Sequence, residues 1–209
     1  MSFVHLHVHS QYSILDGAAS ISGLVSKAKS DGMKALALTD HGSMFGIKEF
    51  HIECKRQGIK PILGCETYVA ARTLSDKNDK IDRSGYHLIL LAKNKTGYHN
   101  LVKLISAANT EGFYYKPRID KNLLQKYSEG LIVATACLGG EIPQAILRGR
   151  PDVARDVARW YQELFGEDFY LEIQDHGSPE DRIVNVEIVR IAAELGIELI
   201  ATNDAHYLT

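Results

Sequence analysis

Short apolar segments alternate with amphipathic segments along almost the whole of the 209-residue chain. The clearest apolar segments, at 35–39, 86–92 and 131–136, have the length and composition of buried strands. The clearest amphipathic segments run over 151–165 and 178–195, and each begins with a proline in its first turn, which is typical of a helix start. Strands that alternate with helices in this way predict an α/β fold with a mostly parallel sheet, either open or closed into a barrel.

The same patterns predict the remaining elements. We expect strands at 3–9, within 60–71, at 168–173 and at 198–202, and helices at 20–31, 46–57, 97–111, 123–127 and 141–147. The polar stretch 72–85 predicts an exposed loop. The sequence contains neither a GxGxxG segment after the first strand nor a Walker-type loop, which weighs against dinucleotide-binding and P-loop folds.

The composition excludes several classes of protein. Hydrophobic residues make up 45% of the chain, charged residues 24%, and the net charge is −2, as in an ordinary globular domain rather than a strongly basic nucleic-acid coat. No apolar run approaches the ~20 residues of a membrane span, so we expect no membrane partner. Three widely spaced cysteines argue against a disulfide framework and favour the cytoplasm.

Three histidines alternate with apolar residues near the start of the chain, at His5, His7 and His9. At the two-residue period of a strand, all three imidazoles would lie on one face. A metal site needs such a row because histidine is the commonest nitrogen ligand for zinc and similar ions. The alternatives are an expression tag or a polar edge strand with incidental histidines.

Residues that can bind metals also follow or border most of the other predicted strands, at the rim where the active sites of β/α barrels form. The candidates are His7, His9, Asp16, Asp40, His41, Glu66, His87, Cys137, Asp204 and His206. With Asp40 set aside, nine ligands are too many for one tetrahedral zinc and suit two or three ions bridged by carboxylates. Such centres hydrolyse phosphoesters, and mixed histidine and carboxylate ligation favours zinc, manganese or iron.

Four further residues have two interpretations each. Asp40 either orients the ligand imidazole that follows it or caps a helix. His176 follows a predicted strand and either reaches the rim or lies away from it. Lys116 and Arg118, with the tyrosines beside them, either hold a DNA backbone by charge and stacking or belong to a surface loop.

Several longer segments together resemble a known family. They are FVHLHVHSQYSILDGA, ALTDHGSMFG, GIKPILGCETYVA, YHLILLAKNKTGYHNLVKL, EGFYYKPRID, CLGGEIPQ, DFYLEIQDHG and ATNDAHY. In this order they resemble the polymerase and histidinol phosphatase (PHP) domain, in the version at the N-terminus of the bacterial replicative DNA polymerase III alpha subunit. HxH and DHG alone indicate only the PHP superfamily, whereas GIKPILG, NKTGYHNL and EGFYYKPRID indicate the polymerase branch.

The resemblance implies a distorted (β/α)7 TIM-like barrel with a trinuclear metal centre. Carried over position by position, its ligands are His7, His9, Asp16, His41, Glu66, His87, Cys137, Asp204 and His206, and His5 is not among them. Glu66, Asp204 and His206 are the residues to which it gives a catalytic role. The implied activity is a metal-dependent 3′–5′ exonuclease that proofreads the primer strand, with the rest of the polymerase and the replisome as partners.

We therefore expect a single PHP domain over 1–209, without polymerase domains and without nucleotide addition. Whether the barrel is incomplete at its C-terminus stays open, because the chain stops at Thr209. Two alternatives remain. One is a small-molecule phosphatase of the histidinol-phosphate type, and the other is a non-catalytic structural domain whose metals serve folding.

Overall fold

The computed structural model describes residues 3–208, which form seven α-helices, a short 3-10 helix at Gly166–Asp168 and seven strands. The helices are α1 (Ile21–Ser30), α2 (Ile47–Gln57), α3 (Lys95–Thr110), α4 (Lys121–Lys126), α5 (Glu141–Leu147), α6 (Pro151–Phe165) and α7 (Pro179–Leu195). The strands are β1 (Ala35–Leu38), β2 (Lys60–Val69), β3 (Tyr86–Ala92), β4 (Arg118–Ile119), β5 (Leu131–Ala134), β6 (Phe169–Ile173) and β7 (Leu199–Ala201). The two-residue strand β4 was not predicted; it is too short to give a periodic signal.

Local sequence explains where several helices start and end. Ser20 caps α1, and its hydroxyl accepts a hydrogen bond from the Gly23 amide at 3.1 Å. Ser178 and Asp181 form a reciprocal capping box at the start of α7. Gly58 ends α2 in the left-handed conformation, at φ 77°, which glycine adopts without steric cost.

The strands form one curled sheet in the order β1-β2-β3-β5-β6-β7, and β4 pairs with β2. All neighbours are parallel except β3, which runs antiparallel to both β2 and β5. The sheet is therefore mostly parallel, as predicted. The reversed direction of β3 puts its first residues, rather than its last, at the carboxyl ends of the parallel strands.

An extended segment at 5–9 closes the sheet into a distorted TIM-like barrel. On one side the His5 carbonyl accepts a hydrogen bond from the Ala37 amide at 2.9 Å. On the other side the His9 amide donates to the Ala205 carbonyl at 2.8 Å, and the Ala205 amide donates to the His7 carbonyl at 3.1 Å. The segment thus lies between β1 and the residues that follow β7, which confirms the predicted barrel.

The prediction of a regular strand over 3–9 is nevertheless wrong. Only Val8 makes a ladder bridge, to Ala205, and the backbone bends at residues 6 and 7. The bend breaks the two-residue alternation. Leu6 packs inside the barrel against the cluster that contains Ile89, whereas His5 lines an outer cavity beside α1. The three imidazoles consequently do not share one face.

The hydrophobic core lies mainly between the sheet and the helices. On β3, Leu88 and Leu90 face this core, while Ile89 and Leu91 face the barrel interior. On β2, Cys65 is fully buried in the core and its neighbour Glu66 points to the opposite face. Cys65 is therefore a core thiol, and Glu66 enters the barrel.

Arg118 holds the loop 72–85 from beneath. It is fully buried, and its guanidinium donates to the carbonyls of Gly112, Leu74, Asp76 and Asp82 at 3.1–3.2 Å. We call Arg118, Asp82 and Arg72, which pairs with Asp82, the Arg118 clamp. Of the two interpretations of Arg118, the DNA contact does not fit the structure, because the side chain is fully buried and four of its five N–H donors are bonded to backbone carbonyls.

None of the helices in the described part of the chain is long and apolar enough to span a membrane.

Candidate metal centre

All nine predicted ligands converge at one end of the barrel. They come from the segment 5–9, from the loop 10–18, from β2, from the start of β3, and from the segments that follow β1, β5 and β7. His87 reaches this end from the start of β3 because that strand is antiparallel. The nine residues are His7, His9, Asp16, His41, Glu66, His87, Cys137, Asp204 and His206, and we call them the ligand cluster.

Glu66 lies at the centre of the ligand cluster, and its two carboxylate oxygens contact different histidines. Oε1 is 2.8 Å from His87 Nδ1 and 3.4 Å from His7 Nε2. Oε2 is 3.6 Å from His9 Nε2 and also contacts His41 Nδ1. A carboxylate in this position can bridge two ions.

Asp204 and Cys137 complete the inner part of the cluster. Asp204 Oδ1 is 3.1 Å from both His7 Nε2 and His9 Nε2. Cys137 Sγ is 3.5 Å from His87 Nδ1 and 3.8 Å from Glu66 Oε1. Asp204 holds a left-handed backbone conformation, at φ 45°, which is uncommon outside glycine and often marks functional positions.

The outer part of the cluster is more open. Asp16 Oδ2 is 3.2 Å from His41 Nε2 and 3.7 Å from His206 Nε2. The His206 ring stacks on the His9 ring with centroids 4.2 Å apart. Asp16 is half exposed, so it forms the mouth of the cluster rather than its floor.

The donor atoms of the cluster fit metal ions. Two ligand atoms bound to one tetrahedral zinc at 2.0–2.2 Å lie about 3.4 Å apart, which is close to the contacts above. Three groups of donors gather within 4.8 Å: His7, His9 and Glu66; Glu66, His87 and Cys137; and His9, His41 and His206. The sharing of Glu66 and of His9 between groups is what a multi-ion site requires.

Unsatisfied buried atoms support the same fit. Among the described residues, eight buried side-chain nitrogen and oxygen atoms make no hydrogen bond. Five of them are atoms of the ligand cluster that could bind a metal ion. These five are His7 Nε2, His9 Nε2, His41 Nδ1, Glu66 Oε2 and Asp204 Oδ1. Leaving a buried polar atom without a partner costs about 1–3 kcal/mol, so a concentration of such atoms at one point is what a cation-binding site provides.

The two buried carboxylates carry charge. Burial by itself would raise the pKa of Glu66, but contacts with His41, His7 and His87 outweigh it and hold the pKa well below its usual range. Burial opposes ionisation of Asp204 as well, and the close contact with His9 still lowers its pKa. Both carboxylates are therefore ionised at neutral pH and available to cations.

Cys137 behaves differently. Burial, together with the charges of Glu66 and Asp204, raises the pKa of its thiol. The thiol is thus protonated while the cluster holds no cation. A thiolate there needs a bound metal, which deprotonates coordinating thiols outright.

A cavity of about 460 Å³ opens over the ligand cluster. Asp16, His41, His87, Cys137, Asp204 and His206 line it. His7, His9 and Glu66 lie beneath it and are fully buried. Glu66 consequently cannot touch a substrate, and any part that it takes in a reaction is limited to holding ions.

Comparison with known proteins agrees with this geometry. The PHP domain family model matches residues 5–176. The chain belongs to the PHP domain family. It is 54% identical over 207 residues to the DNA polymerase III subunit alpha of Borreliella burgdorferi and 53% identical over 209 residues to that of Treponema pallidum, covering 99% of this chain in each case. The chain spans only 18% of the length of either relative.

A solved structure of low sequence identity has the same fold. A crystal structure from Bifidobacterium adolescentis, assigned to the metal-dependent phosphoesterases, superposes on 98% of this chain and 87% of that chain with a TM-score of 0.61. The two sequences are only 16% identical, so the similarity concerns the barrel architecture.

Glu172 supports the PHP domain's first ligand, and sequence reasoning missed it. It lies on β6, is buried, and its Oε1 is 2.8 Å from His7 Nδ1. Its Oε2 accepts a hydrogen bond from the Ala136 amide at 3.0 Å. Since His7 Nδ1 donates to this carboxylate, Nε2 keeps its lone pair for the centre of the cluster. The signal was an acidic residue inside an apolar strand.

Asp40 supports a second ligand through Ser13. It accepts hydrogen bonds from the Ser13 and Ser10 hydroxyls at 2.8 Å each. The Ser13 oxygen is in turn 2.9 Å from His9 Nδ1. Because the serine donates its proton to Asp40, it accepts from His9 and leaves Nε2 of that imidazole free. Asp40 thus orients His9, not the adjacent His41.

The two remaining candidates differ in position. Lys116 lines the cavity, with Nζ 5.0 Å from the centre of the Tyr68 ring. His176 does not line it: its Nε2 is 2.9 Å from the Asn203 carbonyl, and its Nδ1 is 3.9 Å from Asp181. His176 therefore braces the segment before Asp204 and does not reach the ligand cluster.

Proposed function

We propose that this PHP domain is a metal-dependent 3′–5′ exonuclease that removes nucleotides from a DNA primer end. The observation that carries the proposal is the intact ligand cluster, with five unsatisfied buried donors at the floor of an open cavity. Its relatedness to DNA polymerase III alpha subunits supports DNA as the substrate and the rest of the polymerase and replisome as partners. A replication role corresponds to a cytoplasmic location, and 1–209 is proposed as one PHP domain.

The nine residues of the ligand cluster are proposed to hold two or three divalent ions, of zinc, manganese or iron. Bound ions would supply positive charge for the phosphoryl oxygens and activate the attacking water. Glu66 would hold the ions from below, while Asp204 and His206 lie at the cavity floor where a phosphodiester would sit. Lys116 provides a further positive charge at the wall.

The direct test is digestion of a primer–template with a mismatched 3′ end by the protein loaded with Zn²⁺ or Mn²⁺. We expect successive single-nucleotide shortening, and loss of it in Asp204→Asn with the fold retained by circular dichroism. Full activity in that variant would contradict the role of Asp204.

Two other results would overturn the proposal itself. Release of phosphate from L-histidinol phosphate without action on the primer would indicate a small-molecule phosphatase. Tight metal binding with a large thermal shift and neither activity would indicate a structural domain.

A further inference from the structure

The cavity over the ligand cluster has an apolar wall that metal binding does not explain. Ile14 is 84% exposed, Leu15 92%, Phe45 74% and Phe113 54%, and all four line this cavity. Single exposed apolar residues are common, but four large ones around one cavity form a patch of the kind that marks a binding site.

The wall is built by the loops that supply the ligands. Leu15 directly precedes Asp16, and Phe45 lies four residues after His41. Whatever contacts the metal centre through its phosphate must therefore lie beside these side chains. Phe113 faces the same cavity from the segment that follows α3.

Charge and size restrict the occupant. Lys116 is the only lysine or arginine that lines the cavity within the described residues. A groove that tracks the backbone of a long nucleic acid needs several such cations. At about 460 Å³ the cavity lies in the lower part of the range of small-ligand sites, which is the size of one nucleotide.

We propose that the cavity takes a single unpaired terminal nucleotide, whose base stacks on Phe45 and Phe113 while its phosphodiester faces the ligand cluster. This inference rests on the proposed function and names the form of substrate that the site accepts. Stacking on aromatic side chains tolerates every base, because each base has a π-face. The site consequently selects an unpaired end, whatever its sequence.

The proposal gives a physical basis for discrimination between primer ends. A paired terminal nucleotide must first unstack and unpair, at a cost of a few kcal/mol, before its base can enter the cavity. A mismatched end pays less of this cost. The protein would then remove mismatched nucleotides faster without reading the base pair itself.

Ligand binding tests the inference without any need for catalysis. We compare thymidine 5′-monophosphate with 2-deoxyribose 5-phosphate, which lacks the base, by calorimetric titration of the Zn²⁺-loaded protein. We expect the nucleotide to bind about ten-fold more tightly or better. Phe45→Ala and Phe113→Ala should each reduce this preference, and the double variant should abolish it. Val186→Ala, an equally exposed position on α7, should retain it.

Equal affinities for the two ligands, or no binding of either, would contradict the inference. A primer with an abasic 3′ terminus separates it from the proposed function. Equal digestion of abasic and unpaired normal ends would overturn the inference and leave the exonuclease in place. A nucleotide preference that depends on Phe45 and Phe113, without digestion of any primer, would overturn the exonuclease and leave the inference in place.

Discussion

The ligand cluster and the Arg118 clamp are each built around buried polar groups of the same small barrel, but the hydrogen-bonding capacity of these groups is satisfied in opposite ways. In the clamp, the Arg118 guanidinium finds four backbone carbonyls, and Asp82 accepts from Arg72 and from the Asn78 amide. In the ligand cluster, five buried nitrogen and oxygen atoms that could bind a metal ion make no hydrogen bond.

The difference distinguishes a structural from a functional polar site. The clamp contains its own cation and orders the loop 72–85, so it needs nothing from outside. The ligand cluster directs several lone pairs at one point and contains no lysine or arginine to bond them, so these lone pairs are satisfied only when metal ions bind. Residue types alone do not reveal this, because each site combines acidic and basic side chains.

The largest effect should come from Glu66→Gln in the ligand cluster. Removing the charge of the bridging carboxylate should expel at least one ion and lower phosphodiester hydrolysis at least about a hundred-fold, equivalent to ~3 kcal/mol in the barrier. Metal content and initial rates check it, with Glu180→Gln, exposed on α7, as the matched control. Unchanged metal content and rate would show that Glu66 does not bridge.

In the clamp, Arg118→Met should destabilise the fold and spare the metals. Loss of four charged hydrogen bonds beneath a loop should lower the free energy of unfolding by about 3 kcal/mol. For a domain of this size that corresponds to a melting temperature lower by about 6–12 °C. Arg190→Met on the exposed face of α7 is the control. A normal melting temperature with fewer metal ions would reverse the assigned roles.

Glu172→Gln should weaken the ligand cluster from behind. An amide in place of the carboxylate no longer fixes the His7 tautomer as firmly, and changes at such supporting positions cost 10–100-fold in metal affinity. Competition with a chromogenic chelator measures the affinity, and Glu163→Gln on α6 is the control. Wild-type affinity would mean that His7 needs no support from this carboxylate.

The smallest effect concerns the pH dependence of the clamp. Hydrogen bonds from Arg72 lower the pKa of Asp82 below its ordinary value. The ionised carboxylate therefore stabilises the fold above the ordinary carboxyl pKa, and this stabilisation is lost as pH falls through the lowered one. Urea unfolding should find Asp82→Asn less stable than wild type at pH 7, with the gap narrowing below about pH 4. A constant gap across this range would contradict the assignment.

Most of the barrel was predictable because long segments with a clear period have few alternatives. The seven helices and the strands β1–β3 and β5–β7 lie where the apolar pattern placed them. The prediction of a regular strand over 3–9 was wrong because alternation in the sequence cannot reveal a bend at residues 6 and 7. Neither could the sequence reveal that β3 is antiparallel, which is a property of the sheet and not of the strand.

The convergence of the nine candidate ligands was predictable from their positions at strand ends, but their supporting contacts were not. Glu172 and Ser13 are common residue types without a motif, and only the folded chain brings them within 2.9 Å of His7 and His9. Arg118 shows the opposite error. A basic residue beside tyrosines resembles a DNA contact in sequence, and burial decides against it.

The central claim is that metal ions complete the ligand cluster. Its most direct test is the number of zinc ions per chain, measured by mass spectrometry after loading with Zn²⁺ and desalting, for wild type and for Glu66→Gln. We predict about two or three ions in wild type and at least one fewer in the variant. Fewer than one ion per correctly folded wild-type chain would contradict the claim.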